Sequence, residues 1–276
     1  KTPLTEIEVK YVPVELPGGL RPKAWRAKVV SMAKAADDVM VVHLAVEGDE
    51  PLLYYAGQYV NIVMPDGVKR AFSFATAPGA GSTIELQIRR VPGGRYTTHV
   101  FEEMKVGDIV DFEGPLGSFF LREDSSKPIV FVAGATGFAP VKSMVEHAFA
   151  TGLKRKMVLY WGTRSLRDMY ARELCERWAR EHPDTFTFVP VLSEAKPEDG
   201  WTGRTGLVHE AILADFPTLA GHQVYAGGSV AMVEAAHPAF RARGMDPNDC
   251  FSDAFRLSPH LAKATPAEEL VKLGGA

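Results

Sequence analysis

The sequence predicts an antiparallel all-β unit, a barrel or a sandwich, followed by an α/β unit built on a doubly wound parallel sheet. Three observations predict it. Apolar residues keep period two in runs spread over residues 24–115. From Lys127 onward, short apolar runs alternate with stretches of helical period. Loops of small residues follow the first and the fourth of those later runs.

In the first unit, Met40, Val42, Leu44 and Val46 alternate with other residues, as do Ile84, Leu86 and Ile88 with Glu85, Gln87 and Arg89. Val110 and Phe112 repeat the pattern. Such runs are half-buried strands. Turn signals separate them at Gly48-Asp49, Pro65-Asp66-Gly67, Pro78-Gly79 and Pro92-Gly93-Gly94. One short helix is predicted over residues 97–104, ending near Gly107.

In the second unit the expected strands are residues 128–132, 157–161, 185–192, 223–226 and 250–252. The expected helices begin with the Val141, Met144, Val145, Ala148 stripe and continue with residues 166–182, 208–215 and 231–243. The alternation implies a parallel sheet of order 3-2-1-4-5 with helices on both faces. At 276 residues the chain exceeds one usual core. The expected layout is a linker over 1–23, the β unit over 24–123, the α/β unit over 124–255 and a tail over 256–276. In the tail, Thr265-Pro266-Ala267-Glu268 reads as the start of a short helix.

Composition excludes several classes. The net charge of −3 offers no reason to expect nucleic acid or an anionic membrane. No apolar run approaches the ~20 residues of a membrane helix, and the N-terminus lacks the layout of a signal peptide. Two cysteines, Cys175 and Cys250, make no disulfide framework, and neither they nor the scattered histidines have metal-ligand spacing. No metal site is expected, and reduced cytoplasm is the default location.

The loop Gly134-Ala135-Thr136-Gly137-Phe138-Ala139-Pro140 joins the first strand and first helix of the second unit. Small residues there let backbone approach a ligand, and the helix N-terminus favours a phosphate. Alone, such a loop is as common in sheets that bind nothing. The loop Ala226-Gly227-Gly228-Ser229, ahead of Met232, follows the fourth strand. In the expected order strands one and four are neighbours at the switch point, so both loops line one crevice. Gly162, Thr163 and Arg164 follow the second strand and would face the far end of a dinucleotide. Arg164 and Arg167 could meet a 2′-phosphate, but read first as solvated loop arginines.

In the first unit, Arg70-Ala71-Phe72-Ser73 lies in a strand. Arginine clamps a pyrophosphate bidentately. Phe72, two residues on, shares its face and suits a flat ring. An edge strand with one surface arginine would look the same. Downstream, Gly94-Arg95-Tyr96-Thr97-Thr98 opens the predicted helix and adds a second anion-binding terminus.

Taken together these motifs resemble the ferredoxin–NADP reductase superfamily. Its flavin motif Arg-x-Tyr/Phe-Ser is matched by Arg70 to Ser73, and its Gly-x-x-Ser/Thr motif by Gly94 to Thr97. Its nicotinamide motif Gly-x-Thr-Gly-x-Ala-Pro is matched by Gly134 to Pro140, and its Cys-Gly loop ahead of Met-Val by Ala226 to Gly228. The resemblance implies an antiparallel β-barrel binding FAD, then a nicotinamide-binding α/β domain. It implies hydride transfer from NAD(P)H, NADH being favoured, to FAD. It assigns Ser73, Thr136, Asp253 and Phe255 to the reaction, and adds Ile88, Val91, Tyr96 and Thr98 to the cofactor-binding residues.

Gly114-Pro115-Leu116-Gly117-Ser118-Phe119-Phe120 and Tyr160-Trp161-Gly162-Thr163-Arg164 narrow the resemblance to reductase components of bacterial oxygenases and to deoxysugar reductases. These carry a [2Fe–2S] domain, whose four cysteines this chain lacks. The expected acceptor is an iron–sulfur domain, a ferredoxin or an oxygenase, on a separate partner or on an N-terminal domain preceding Pro3-Leu4-Thr5-Glu6. Two departures from the pattern are Phe72 for the commoner tyrosine and Ala226 for the frequent cysteine. Two alternatives are a flavin subunit that does not use its own nicotinamide site, and a non-catalytic nucleotide-binding sensor. The intact loop from Gly134 to Pro140 argues against both.

Overall fold

A computed structural model describes residues 19–255 of the protein. The expected tail helix and most of the expected linker lie outside the described residues. Two six-stranded sheets divide the rest. The first comprises β1 (Lys23–Ala36), β2 (Val39–Val46), β3 (Tyr59–Val63), β4 (Lys69–Ser73), β5 (Thr83–Arg89) and β6 (Ile109–Leu116), with α1 (Arg95–Glu102) between the last two. Its order is β4-β3-β6-β1-β2-β5, with neighbouring strands antiparallel throughout. A bridge between Phe74 and Leu86 brings the two edges together, so the sheet closes as a barrel.

Alternation explains the barrel core. Ile84, Leu86 and Ile88 point inward with Val42, Leu44, Val60, Ile62, Phe74 and Phe112. Helix α1 starts two residues before the expected position and covers one end of the barrel with Tyr96 and Val100.

The second sheet comprises β7 (Ile129–Gly134), β8 (Met157–Thr163), β9 (Phe186–Leu192), β10 (Arg204–Thr205), β11 (Gln223–Ser229) and β12 (Cys250–Phe255). Its order is β10-β9-β8-β7-β11-β12, all parallel. The expected order of five strands holds, with the two-residue β10 added beside the third. Helices α2 (Phe138–Ala150) and α3 (Arg172–Glu181) cover one face, and α4 (Val208–Asp215) and α5 (Val230–Ala242) the other. Successive residues of β7 serve opposite cores: Ile129, Phe131 and Ala133 face α2 and α3, while Val130 and Val132 face α4 and α5.

The single helix expected over residues 166–182 is broken. A 3-10 turn, Leu166–Asp168, is closed by the Asp168 carboxylate accepting from the Ser165 backbone N–H and hydroxyl. Residues 169–171 then leave helical geometry before α3 begins. Buried Met169 faces the core, and Tyr170 reaches across to the barrel. The break therefore follows from two side chains that a continuous helix would have turned elsewhere.

The segment that connects the two sheets is fixed to the second by buried polar contacts. The Tyr225 hydroxyl accepts from the Arg122 backbone N–H at 2.9 Å and donates to Gln223 Oε1 at 3.1 Å. The Arg155 guanidinium donates to the Lys127 and Arg122 carbonyls and to Gln223 Oε1 at 2.6, 2.7 and 2.7 Å. Arg122 itself stacks over Phe120 and Phe251.

Candidate functional site

On the barrel side, Arg70 and Phe72 occupy alternate positions of β4, paired with Ile62 and Val60. The only hydrogen bond found for Arg70 among the described residues runs to the carbonyl of neighbouring Lys69, at 2.8 Å. Among the described residues its charge has no carboxylate partner. The Phe72 ring sits 5.5 Å from the Tyr96 ring, so the strand and the first turn of α1 share an aromatic wall. Arg95 ties the same turn to Asp66 at 2.7 Å. Ala71 is exposed on the opposite side of the strand.

Several expected ligand-facing side chains are turned elsewhere. Ile88 is fully buried in the barrel core, because even-numbered positions of β5 point inward. Tyr96 is also a core residue, and burial pushes its phenol well above the usual range. The Thr97 hydroxyl faces into its own turn: it donates to the Gly94 and Val91 carbonyls and accepts from the Val91 N–H. Thr97 therefore builds the turn, leaving the first backbone N–H groups of α1 as the donors it presents. A Cβ on Gly94 would stand 2.7 Å from Thr97 Oγ1 and 2.9 Å from the Val91 carbonyl, so the turn closes only around glycine. Thr98 is half-buried beside it.

On the α/β side, Gly134 ends β7, Ala135 to Gly137 form a 3-10 turn, and Pro140 lies in the first turn of α2. Ala135 adopts a left-handed φ of 47°, and its carbonyl accepts from Trp161 Nε1 at 3.0 Å. Gly137 and Gly227 touch backbone to backbone: a Cβ on Gly137 would lie 2.0 Å from the Gly227 carbonyl oxygen. The two loops expected to share a crevice do so. Gly228 is buried with the Met232 thioether packed against it, and the Ala226 side chain lies in the core beneath. Gly162 packs against Val208, where a Cβ would come within 2.9 Å of Val208 Cβ. The Thr163 hydroxyl donates to the Ser165 carbonyl at 3.0 Å. Arg164, with Asp38, Arg89, Ala135, Thr163, Asp168 and Tyr170, lines a cleft between the two sheets. Arg167 is exposed, 3.8 Å from Asp37 at the tip of the β1–β2 hairpin.

The two sides meet at Ser73. It lies beside the Asp253 carboxyl, which burial raises to about 6 and the nearby serine partly pulls back. Asp253 lies beside Gly227 in the sheet, and Gly227 lies beside Ala133. Ser73, Asp253, Gly227 and the Thr136–Gly137 turn thus form a continuous path. Phe255 is the last residue of β12, paired with Ser229 and partly exposed at the outer end of that path.

The residue types suit the expected groups. A guanidinium free of carboxylate partners, a helix N-terminus closed around glycine and an aromatic wall fit a diphosphate joined to a flat ring. The paired glycine loops at the switch point fit a second nucleotide. Among the described residues no cluster of His, Cys, Asp and Glu is arranged to hold a metal ion.

Comparison with known proteins agrees. The oxidoreductase FAD-binding domain family matches residues 26–121, and the oxidoreductase NAD-binding domain family matches residues 131–238. The CDP-6-deoxy-L-threo-D-glycero-4-hexulose-3-dehydrase reductase of Yersinia pseudotuberculosis is 40% identical over 91% of this chain and 74% of its own. The chain belongs to the ferredoxin reductase family. It is an NAD(P)H-dependent flavoprotein oxidoreductase whose cofactors are FAD and a nicotinamide nucleotide. The reductase is also 33% identical to the phenol 2-monooxygenase reductase component DmpP of a Pseudomonas species, over 90% of this chain and 70% of that one. Among solved structures, the Amycolatopsis cytochrome P450 reductase GcoB superposes with a TM-score of 0.78 at 36% identity, covering 85% of this chain and 70% of the other.

Sequence reasoning missed the polar residues that join the two halves of the reductase. Glu85 and Gln87 read as the wet face of a strand, yet they meet Lys142 and Tyr170 of the α/β unit. The available signal was Lys142-Ser143, a polar pair on a helix that is otherwise apolar at its start.

Proposed function

We propose that FAD lies against β4 and the first turn of α1, and that the nicotinamide enters from the crevice between the Gly134–Gly137 and Gly227–Gly228 loops. The observation that supports this reading is the closeness of Ser73, at the end of β4, to Asp253, which pairs with Gly227 in the parallel sheet. Bound FAD supplies the chemistry, accepting hydride from the nicotinamide and releasing electrons singly. The protein binds and orients. Arg70 and the α1 N–H groups hold the diphosphate. Phe72 covers the ring system. Thr136 and the first turn of α2 hold the nucleotide, and the Asp253 carboxyl keeps Ser73 oriented.

The acceptor is an iron–sulfur protein or domain, or an oxygenase, as the names of the relatives suggest: a dehydrase reductase, a phenol 2-monooxygenase reductase component and a cytochrome P450 reductase. NADH is the favoured donor, because Asp168 stands near Arg164 in the cleft and disfavours an added 2′-phosphate. The protein works in reduced cytoplasm, in keeping with its two unpaired cysteines.

Anaerobic titration of the FAD-loaded protein tests the reading. NADH is expected to bleach the flavin absorbance, and NADPH to do so with lower affinity. A protein that takes up no FAD, or a yellow protein that neither nucleotide bleaches, overturns it.

A further inference from the structure

Lys142 is a lysine with 9% exposure, one turn into the helix that opens at the Gly137 loop. All three of its ammonium donors are engaged. They reach the Ala75 carbonyl at 2.8 Å, Glu85 Oε2 at 2.9 Å and Glu146 at 3.0 Å. Ala75 and Glu85 belong to the barrel, Glu146 to the same helix. The next residue, Ser143, donates to the Thr76 carbonyl at 2.6 Å. Consecutive helix residues therefore grip Ala75 and Thr76, just beyond Ser73 of the flavin strand. Glu85 leads further: Gln87 Nε2 donates to Glu85 Oε1 at 2.8 Å, and the Tyr170 hydroxyl donates to Gln87 Oε1 at 2.7 Å. The polar face of β5 is thus clamped at two points by the α/β unit.

Such a network is a poor way to gain stability. Desolvating an ammonium and its carboxylates offsets much of their attraction, and an apolar contact of equal volume would hold the sheets as well. What directional bonds add is a fixed geometry. Phe138 and Lys142 are about 6 Å apart along the helix axis, so this grip sets the height of the nicotinamide loop over the end of β4.

We propose that the Lys142–Glu85–Gln87–Tyr170 network positions the nicotinamide loop against the flavin strand for hydride transfer, with Lys142 as its principal positioning residue. The proposal rests on the functional reading above, and its principal residue, Lys142, is held between Ala75, Glu85 and Glu146.

The test uses the FAD-loaded protein and its variants Lys142→Met and Tyr170→Phe. Anaerobic rapid mixing with NADH separates the limiting rate of flavin bleaching from nucleotide affinity. Misplacement on the ångström scale costs up to about 100-fold in rate. Lys142→Met is expected to lower the limiting rate by ~10-fold or more, while FAD content and NADH affinity change by less than about threefold. Tyr170→Phe removes one hydroxyl and is expected to lower it by about threefold. A second readout needs no turnover. Spin labels at Val106→Cys on the barrel and Leu207→Cys on the α/β unit, both at exposed positions, report the distance between the sheets in a Cys250→Ser background. Lys142→Met is expected to broaden that distance distribution.

An unchanged limiting rate in folded Lys142→Met, or a loss that only tracks lost FAD, overturns the proposal. Should Lys142→Met fail to fold, an unchanged rate in Tyr170→Phe overturns it instead. Failure of the parent protein to be bleached by NADH would sink the functional reading itself, and the spin-label distances would still decide whether Lys142 fixes the two sheets.

Discussion

Ser73, the last residue of β4, stands beside the Asp253 carboxyl on the last strand of the parallel sheet. Burial holds that carboxyl at about 6, against roughly 3.9 for an aspartate in an unfolded chain. Between those values the folded protein keeps a proton that the unfolded chain has lost. Stability from this group is therefore full below about pH 4 and falls as pH rises through 6. Asp253→Asn cannot ionise. Relative to the parent it is expected to gain about 1–2 kcal/mol between pH 4 and pH 8, after allowance for solvent screening. Urea unfolding across that range checks this, and a difference independent of pH would count against it.

Gly137→Ala tests the contact between the two crevice loops. The backbone at Gly137 is ordinary for alanine, with φ −58°, so strain is not the issue. Space is: the added Cβ would meet backbone atoms of Gly227 and Gly228 at 2.0 to 2.7 Å. The loops must part. Nicotinamide affinity is expected to fall more than about tenfold, with FAD content retained, as read by NADH difference spectra. Unaltered affinity would remove these loops from the nucleotide site.

Arg70→Ala separates binding from folding. The side chain is half-buried and, among the described residues, bonds only its neighbour's carbonyl. Its loss is expected to change stability by less than about 0.5 kcal/mol. Flavin retained after desalting is expected to drop severely, because the diphosphate loses its bidentate partner. The ratio of flavin to protein absorbance measures this directly.

Arg155→Met tests the attachment of the connecting segment to the parallel sheet. Arg155 is 6% exposed and satisfies two backbone carbonyls and Gln223. Methionine fills much of the space and leaves those acceptors without the donor. The expected loss is about 3 kcal/mol in denaturant unfolding. Arg155→Lys should recover little, since an ammonium cannot match the planar fork.

What could be read in advance follows from what each signal reports. Glycine loops are local, because close backbone approach at Gly137 or Gly227 requires the residue itself. Strand periodicity is local too, and Ile84, Leu86 and Ile88 are inside as expected. The same periodicity says only that Glu85 and Gln87 avoid apolar surroundings. It is silent on whether water or a lysine awaits them. The helix over residues 166–182 misread for a related reason: Tyr170 leaves helical geometry for a partner on β5, far away in sequence. Asp253 entered only through the resemblance, for no pattern of spacing joins it to Ser73.

Trp161 has a consequence of a different kind. Its indole is fully buried, stacks on Phe138 at 4.1 Å and donates to the Ala135 carbonyl within the nicotinamide loop. Shielded from water, it responds to movement of that carbonyl rather than to solvent. The fold has thereby placed a native fluorophore directly under the nucleotide loop, and its emission offers a label-free optical signal of that loop's conformation.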